Sequence, residues 1–452
     1  MRIIIAGDGK VGHMLTRHLS GEGHDLTLID NDPSALETTV ERYDVMSVVG
    51  NCGSMETLRS AGVDKADLLI TATGQDELNL LCCMTAHGMN PELHTIARIR
   101  TPDYMESTYT MRKLFALSLV VNPERQTARE IDRLMRYPGY LKREKFANGL
   151  VELVELKIDA ESPLDGVPLH QLTQVAHVQV LVCTVVRDGK AVTPSGDFVL
   201  QADDHIYVTG AAKNLSLLLK NIGIATPKIR NVIIAGAGGT SYYLTQLLCR
   251  ENVNVKIIDP NRERCEKFAE AFPSATVVEG DVSIRSVLDR EKLSQADAVV
   301  SMTGIDELNV ILSLYADSLK VPQVITKLGR GENRKLLEQL PIGSIVSPKE
   351  LCCDTITRYV RAMGNQAGSA VSIHTIANDQ AEAIEFAVEE GTKHLGEPLK
   401  AFRLKKNVLV ASITHGRNIE VPNGESVMRP GDRVVIVANG DMVIRNLNDI
   451  FA

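Results

Sequence analysis

Gly7-Asp8-Gly9-Lys10-Val11-Gly12 is a complete G-x-G-x-x-G turn, lying between the apolar run Arg2–Ala6 and an amphipathic stretch over Gly12–Ser20. Each glycine has a physical task there. Gly7 permits a tight turn out of a strand, Gly9 lets a pyrophosphate approach the backbone, and Gly12 lets helix and strand lie close. The helix that follows presents unpaired N–H groups and partial positive charge to phosphate oxygens. Asp30 closes the next strand-like run, Asp25–Asp30, at the spacing a dinucleotide site requires. Its carboxylate accepts from both hydroxyls of a ribose and repels a 2′-phosphate, so the pattern implies NAD-type ligands and disfavours NADP.

Further polar residues fall at the carboxyl ends of later strands, where open α/β sheets bind ligands. Asn51 and Cys52 follow Val45–Val49, Thr73 and Gly74 follow Leu68–Ala72, and Arg98 ends Thr95–Arg98. Thr73 and Gly74 are placed to approach the adenosine and pyrophosphate, and Arg98 to make a charge-assisted phosphate contact. Asp76, Glu77 and Asn79 are expected to cap and orient the next helix.

The chain states this arrangement twice. Thr71–Asn79, TATGQDELN, returns as Ser301–Asn309, SMTGIDELN, and Arg2–Gly9 returns as Asn231–Gly238. The second turn is Gly236-Ala237-Gly238-Gly239-Thr240-Ser241, with serine where the third glycine stood. Asp259 matches Asp30, Asp281 matches Asn51, Thr303 and Gly304 match Thr73 and Gly74, and Lys327 replaces Arg98. A second nucleotide site with a different affinity or ligand from the first is therefore expected, an inert scaffold being the competing reading.

The elements that must position these residues are short apolar strands alternating with helices, the signature of a doubly wound parallel sheet. The fold class expected is α/β, with two Rossmann-like domains, at 1–123 and 231–348, each followed by a small α+β domain, at 143–227 and 368–452. In the small domains Val151–Ile158 alternates as a half-buried strand does, and Arg187-Asp188-Gly189-Lys190 reads as a hairpin turn. A helix from Pro123 leaves the first domain, ending at Pro138-Gly139, and the chain after Pro123 is expected to hinge. Thr226-Pro227-Lys228 marks the linker to the second half.

Composition narrows the function. Over 452 residues the net charge is −8, which argues against a nucleic-acid partner, and no stretch approaches the roughly 20 apolar residues of a membrane helix. The start enters a strand directly, without a secretory pattern. The eight cysteines lack zinc or C-x-x-C spacing and read as small buried residues, so no metal site is expected. A dehydrogenase needs a general acid or base beside the nicotinamide. His170, His177 and His205 form no such motif, and the repeat does not keep them: Arg433 replaces His205. No catalytic residue is assigned.

The duplicated glycine turns, the T-x-T-G-x-D-E-x-N run after the fourth strand and the small trailing domains together resemble the RCK (KTN) family. The resemblance spans essentially the whole chain, and ordinary dehydrogenases lack both the duplication and the small domains. It implies a cytoplasmic protein, peripheral on the inner face of the cell inner membrane. Its partner is an integral membrane potassium-translocating subunit, here of the Trk type, gated by bound NAD(H) or, in some members, ATP or ADP. It also implies a ring-forming homo-oligomer, a tetramer. A regulator of another cation channel or antiporter is the alternative, and Ser241 puts symmetric use of the two sites in doubt.

Overall fold

The computed structural model describes all residues except 111, 113, 137–139, 225–227, 330–336, 338–339, 364–369, 378–379, 441–443 and 445. The expected helix stop at Pro138-Gly139, most of the linker at Thr226-Pro227 and the start of the last domain at 368 lie outside them.

The first unit is a six-stranded parallel sheet of β1 (Arg2–Ala6), β2 (Asp25–Asp30), β3 (Met46–Val49), β4 (Leu68–Thr71), β5 (His94–Arg98) and β6 (Leu119–Val121). Its order is β3-β2-β1-β4-β5-β6. Helices cover both faces, so Ile3, Ile4 and Ile5 are all buried whichever way they point, as a parallel strand demands. The order reverses between β1 and β4, and that switch point opens the crevice for a ligand. The second unit repeats the sheet with β12 (Asn231–Ala235), β13 (Asn254–Asp259), β14 (Thr276–Glu279), β15 (Ala298–Ser301), β16 (Gln323–Lys327) and β17 (Ser344–Val346), in the same order.

Each small domain is a five-stranded antiparallel sheet. The first holds β7 (Lys142–Phe146), β8 (Val151–Lys157), β9 (Leu181–Arg187), β10 (Lys190–Val192) and β11 (His205–Ala211). The β9–β10 hairpin turns through Asp188 and Gly189, both at positive φ, as the sequence pattern predicts. The second holds β18 (Ala370–Ile376), β19 (Ala381–Ala387), β20 (Val408–His415), β21 (Asn418–Glu420) and β22 (Arg433–Asn439). The two sheets press together through Phe146, Leu153 and Tyr207 on one side and Ile376, Ala383 and Val437 on the other.

The two halves are tied by an exchange of helices. Pro123–Arg136 follows β6, yet its buried residues Ala128, Ile131, Leu134 and Met135 join the core of the second unit, with Ile234, Leu244 and Ile257. Pro348–Met363 follows β17 and does the reverse: Cys352, Cys353, Ile356 and Val360 complete the first unit's core beside Ile5, Leu15 and Ile70. The exchanged helices also meet, Gln126 Nε2 donating to Thr355 Oγ1 at 2.9 Å. The hinge expected after Pro123 is therefore replaced by a helix whose apolar stripe is embedded in the other half. Its i, i+3, i+4 spacing needs a core to cover it, and the nearest uncovered one belongs to the repeat.

Candidate functional site

The first glycine turn is fixed by its own backbone. Gly7 sits at φ +100°, and a β-carbon there would lie 2.8 Å from Thr73 N and 2.9 Å from the Ala72 carbonyl carbon. A β-carbon on Gly12 would lie 1.9 Å from Gly7 O, so helix Lys10–Gly21 rests directly on the turn. Gly9 and Gly74 are different: nothing in the protein stands within 4 Å of the place a β-carbon would take. Their lack of a side chain answers no internal packing need and leaves an open approach to the backbone. Val11 is buried in the core and Lys10 is exposed at the mouth.

Asp30 holds the turn from the side. Oδ2 accepts from Asp8 N at 2.6 Å and Oδ1 from Asp32 N at 2.9 Å. A carboxylate has about four acceptor positions, so two remain for ribose hydroxyls. The Asp8 carboxylate is buried with no hydrogen-bond partner on either oxygen, and burial raises its pKa. In the next loop Asn51 Oδ1 accepts from Gly53 N at 2.9 Å, and Cys52 is buried against the core.

The opposite wall is set by Asn79, which is fully buried. Its Oδ1 accepts from Thr73 N at 3.0 Å and from Thr73 Oγ1 at 2.7 Å, while Nδ2 donates to Arg98 O at 2.8 Å. Asn79 thus clamps the β4 loop to the end of β5. Asp76 does the same for the following turn, its Oδ2 accepting from Arg100 N at 2.9 Å and Thr101 N at 2.8 Å. The expectation that these residues cap the helix is corrected: helix Asp76–Met89 starts at Gln75 without a side-chain cap, and the polar groups orient loops instead. Arg98 Nη2 donates to Thr73 O at 2.6 Å, leaving the buried Nε with no partner. Burial, then the neighbouring Arg100, lowers the Arg98 pKa, yet guanidinium stays charged in proteins. An orphaned, charged donor at a strand's carboxyl end fits an anionic ligand.

The second crevice copies much of this. Gly236 stands at φ +103°, and Gly238 and Gly304 are as open as Gly9 and Gly74. Asp259 Oδ2 accepts from Ala237 N at 2.7 Å and Oδ1 from Asn261 N at 2.8 Å, but Asp259 is more enclosed than Asp30 and Arg264 Nη1 stands 3.7 Å away. Asn309 repeats the clamp, accepting from Thr303 N at 2.8 Å and Thr303 Oγ1 at 2.7 Å and donating to Lys327 O at 3.0 Å. Thr240 and Ser241 are buried, and Ser241 Oγ donates to Gly236 O. The serine therefore fills the third-glycine place with a hydrogen bond of its own. Lys327 Nζ donates to Met302 O at 3.1 Å, and burial lowers its pKa. Asp281 sits apart on an exposed turn, accepting from Ser283 N at 2.8 Å.

The histidines weighed for catalysis belong to the first small domain. His205 Nδ1 lies 2.7 Å from Glu155 Oε1, exposed His170 faces Gly196 O at 3.0 Å, and His177 ends a short helix at positive φ. Among the described residues no group of metal-ligating side chains and no membrane-spanning helix occurs. One group that reaches a glycine turn, Glu124, escapes sequence reading: its Cγ stands 3.2 Å from the place a β-carbon on Gly239 would take. It comes from the other half, and no spacing along the chain signals such a contact.

Comparison with known proteins agrees with this architecture. The TrkA-N domain model matches residues 3–123 and 232–348, and the TrkA-C domain model matches 153–223 and 383–450. The chain is similar to Trk system potassium uptake protein TrkA homolog 1 of Methanosarcina mazei, 32% identical over 444 residues that cover 96% of this chain and 97% of that protein. It is also similar to Trk system potassium uptake protein TrkA of Halomonas elongata, at 28% identity over 100% of this chain and 98% of that one. Among solved structures, the GsuK channel bound to NAD superposes with a TM-score of 0.60 at 18% identity, covering 97% of this chain and 76% of that chain, a likeness of fold. With both domain models matched twice and full-length relatives, the chain belongs to the TrkA family of Trk-system potassium uptake proteins.

Proposed function

We propose that this chain is the nucleotide-binding regulatory subunit of a Trk-type potassium uptake system, working by binding and not by turnover. NAD(H), ATP or ADP enters the first crevice. The pyrophosphate lies over Gly7–Gly12 and Gly74, the ribose hydroxyls on Asp30, and a phosphate oxygen against Arg98 Nε. Thr73 and Asn51 line the adenosine end. The ligand changes the relation between the two halves, and a homo-oligomeric ring passes that change to the potassium-translocating membrane subunit on the cytoplasmic face. A ligand does this only through different affinity for two states, and allosteric coupling is typically about 1–3 kcal/mol. The observation that carries the reading is the pair of glycines with no internal reason to be glycine, Gly9 and Gly74, opening on a charged donor that has no internal partner.

Gly9→Ala tests it cleanly. Gly9 has φ −71°, which any residue adopts, and a β-carbon there meets no protein atom, so the fold is untouched. Equilibrium titrations with NAD, NADH, ATP and ADP are expected to show at least a tenfold loss of affinity, and potassium uptake by cells carrying the variant to lose its nucleotide response. Uptake that responds normally after binding is lost overturns the proposal. Hydride transfer to or from NAD at a catalytic rate, with any hydroxy acid, overturns the non-enzymatic part.

A further inference from the structure

The two small domains set different residues at the same corner of the same sheet. β9 ends on Arg187 where β20 ends on His415, and β10 ends on Val192 where β21 ends on Glu420. Asp204 and Asp432, both buried, stand at the matching place just before β11 and β22. In the first domain a permanent cation holds the aspartate. Arg187 Nε donates to Asp204 Oδ1 and Nη2 to Oδ2, each at 2.7 Å, and the guanidinium lies 4.7 Å from the centre of the Phe198 ring. In the second domain Ser426 takes the place of Phe198. His415 Nε2 lies 3.1 Å from Glu420 Oε2 and Nδ1 lies 2.9 Å from Asp432 Oδ1. The Nδ1 contact is an ion pair off the angle of an aligned hydrogen bond, and that nitrogen is buried with no other partner.

We propose that the second small domain carries a pH-sensitive latch, His415 between Asp432 and Glu420, which the first domain lacks because Arg187 stands in its place. An imidazole donates from both nitrogens only when it is protonated. A neutral ring turns one lone pair toward a carboxylate and leaves two carboxylates at one corner with no cation between them. Arginine keeps its charge throughout. Glu420 carries the state of the ring outward. Its Oε1 accepts from Ser426 Oγ, which itself accepts from Asn423 N at 2.9 Å, so the turn over 423–426 is tied to His415. Asp432 Oδ2 accepts from Arg429 N at 2.7 Å and ties the last loop before β22. The other charges at this corner do not replace the imidazolium. Arg429 acts on Glu420 more weakly than His415 does, Arg417 in the hairpin turn is exposed, and Lys400 pairs with Glu425. Burial alone would lower the His415 pKa, but Asp432 and Glu420 outweigh it and raise it above its ordinary 6.5. A group with a raised folded pKa contributes stability that is complete below its unfolded value and is lost as pH rises through the folded one. The latch is therefore shut at acidic pH and released on the alkaline side of 6.5.

Amide exchange in the full-length chain tests the latch over 418–432, with 190–204 as the internal control, from about pH 5.5 to about pH 9 and corrected for the intrinsic pH dependence of exchange. Protection over 418–432 is expected to fall about three- to tenfold across the alkaline part of that range while 190–204 holds level, one pKa unit being about tenfold in the opening equilibrium. His415→Gln is expected to exchange at the faster rate throughout, with no step. Glu420→Gln keeps the shape of the turn and leaves Asp432 as the one carboxylate on the ring, so the step is expected at lower pH. That variant keeps the test open if His415→Gln does not fold. Equal pH dependence of the two segments in wild type overturns the proposal. So does a step that survives His415→Gln, or one that stays at the wild-type pH in Glu420→Gln.

Discussion

Placing the same alanine at two equivalent positions, Gly12 and Ser241, measures how far the nucleotide turn depends on close helix packing. At Gly12 a β-carbon would sit 1.9 Å from Gly7 O, whereas ordinary contact begins at 3.4 Å, so turn and helix must separate by roughly 1.5 Å. The obstacle is a backbone carbonyl, not a side chain that can swing away. Overpacking of this kind costs about 1–3 kcal/mol and sometimes more. The gain from replacing glycine by alanine in a helix, about 1 kcal/mol, offsets part of it. A net destabilisation of up to about 2 kcal/mol follows. The larger effect falls on the ligand. A shift of about 1.5 Å carries an N–H donor from about 2.9 Å to beyond hydrogen-bond range of a fixed phosphate. One charge-assisted bond lost, about 1.5–3 kcal/mol, lowers affinity roughly tenfold to a hundredfold. Ser241→Ala removes only a hydroxyl from a place already spaced for a β-carbon, at about 1 kcal/mol. A four-domain chain does not unfold in two states, so stability is read locally, from amide exchange over Arg2–Ala6 and Asn231–Ala235, beside NAD titration. Gly12→Ala that is no worse than Ser241→Ala in both readouts refutes the close-packing argument.

Two further outcomes follow from buried polar groups. Asn79→Ala leaves Thr73 N and Arg98 O without their partner in a water-free place, and is expected to cost about 2–4 kcal/mol in local stability, read from amide exchange over Leu68–Thr71 and His94–Arg98, while weakening nucleotide binding through the loosened Arg98. A variant that binds normally would detach the clamp from the site. Between the small domains, Glu144 Oε2 meets His374 Nδ1 at 2.7 Å. Burial alone would raise the Glu144 pKa, but His374, Lys142 and Arg133 outweigh it and hold it at about 2. A carboxyl with a depressed pKa contributes stability above its unfolded value near 4.5 and loses it as pH falls toward about 2. The contribution is at most on the order of 3 kcal/mol. Glu144→Gln should flatten the acid limb of the unfolding midpoint over that window, and an unchanged limb contradicts the assignment.

The parallel strands and glycine turns were legible because their constraints are local. A strand buried on both faces must be apolar throughout, and a turn under a pyrophosphate must lack β-carbons. Asn79 was misjudged for an instructive reason. An asparagine near a helix start resembles a cap in sequence, but four residues into the helix its amide points back across the crevice to the Thr73 loop and the end of β5. Ser241 marks an altered turn in sequence, and the structure adds how it is accommodated, its hydroxyl donating to Gly236 O. The helix exchange was half legible. Ile131, Leu134 and Met135 announce an apolar stripe, but such a stripe looks the same whichever core it enters, and two homologous cores were on offer. Glu124 arrives at Gly239 with its helix, so that contact stayed hidden with it.

The exchange also limits how a nucleotide can act. Drawing helix Pro123–Arg136 out of the second unit would expose Ile131, Leu134 and Met135, at roughly 1.5–3 kcal/mol each, or about 5–9 kcal/mol together. Freeing Pro348–Met363 would expose Cys352, Cys353, Ile356 and Val360 at comparable cost. Allosteric coupling of about 1–3 kcal/mol cannot do either. The nucleotide therefore cannot work by bending the chain after Pro123; it must turn the units as bodies, each carrying the other's helix with it. Helix Pro348–Met363 is placed for this. One end lies on the first glycine turn through Cys353, and near the other Arg361 Nε bonds Glu22 Oε1 at 3.0 Å just beyond helix Lys10–Gly21. Two contacts, one at each end of the same pair of helices, hold Pro348–Met363 to Lys10–Gly21 as one body, so a displacement of the phosphate turn carries the helix with it.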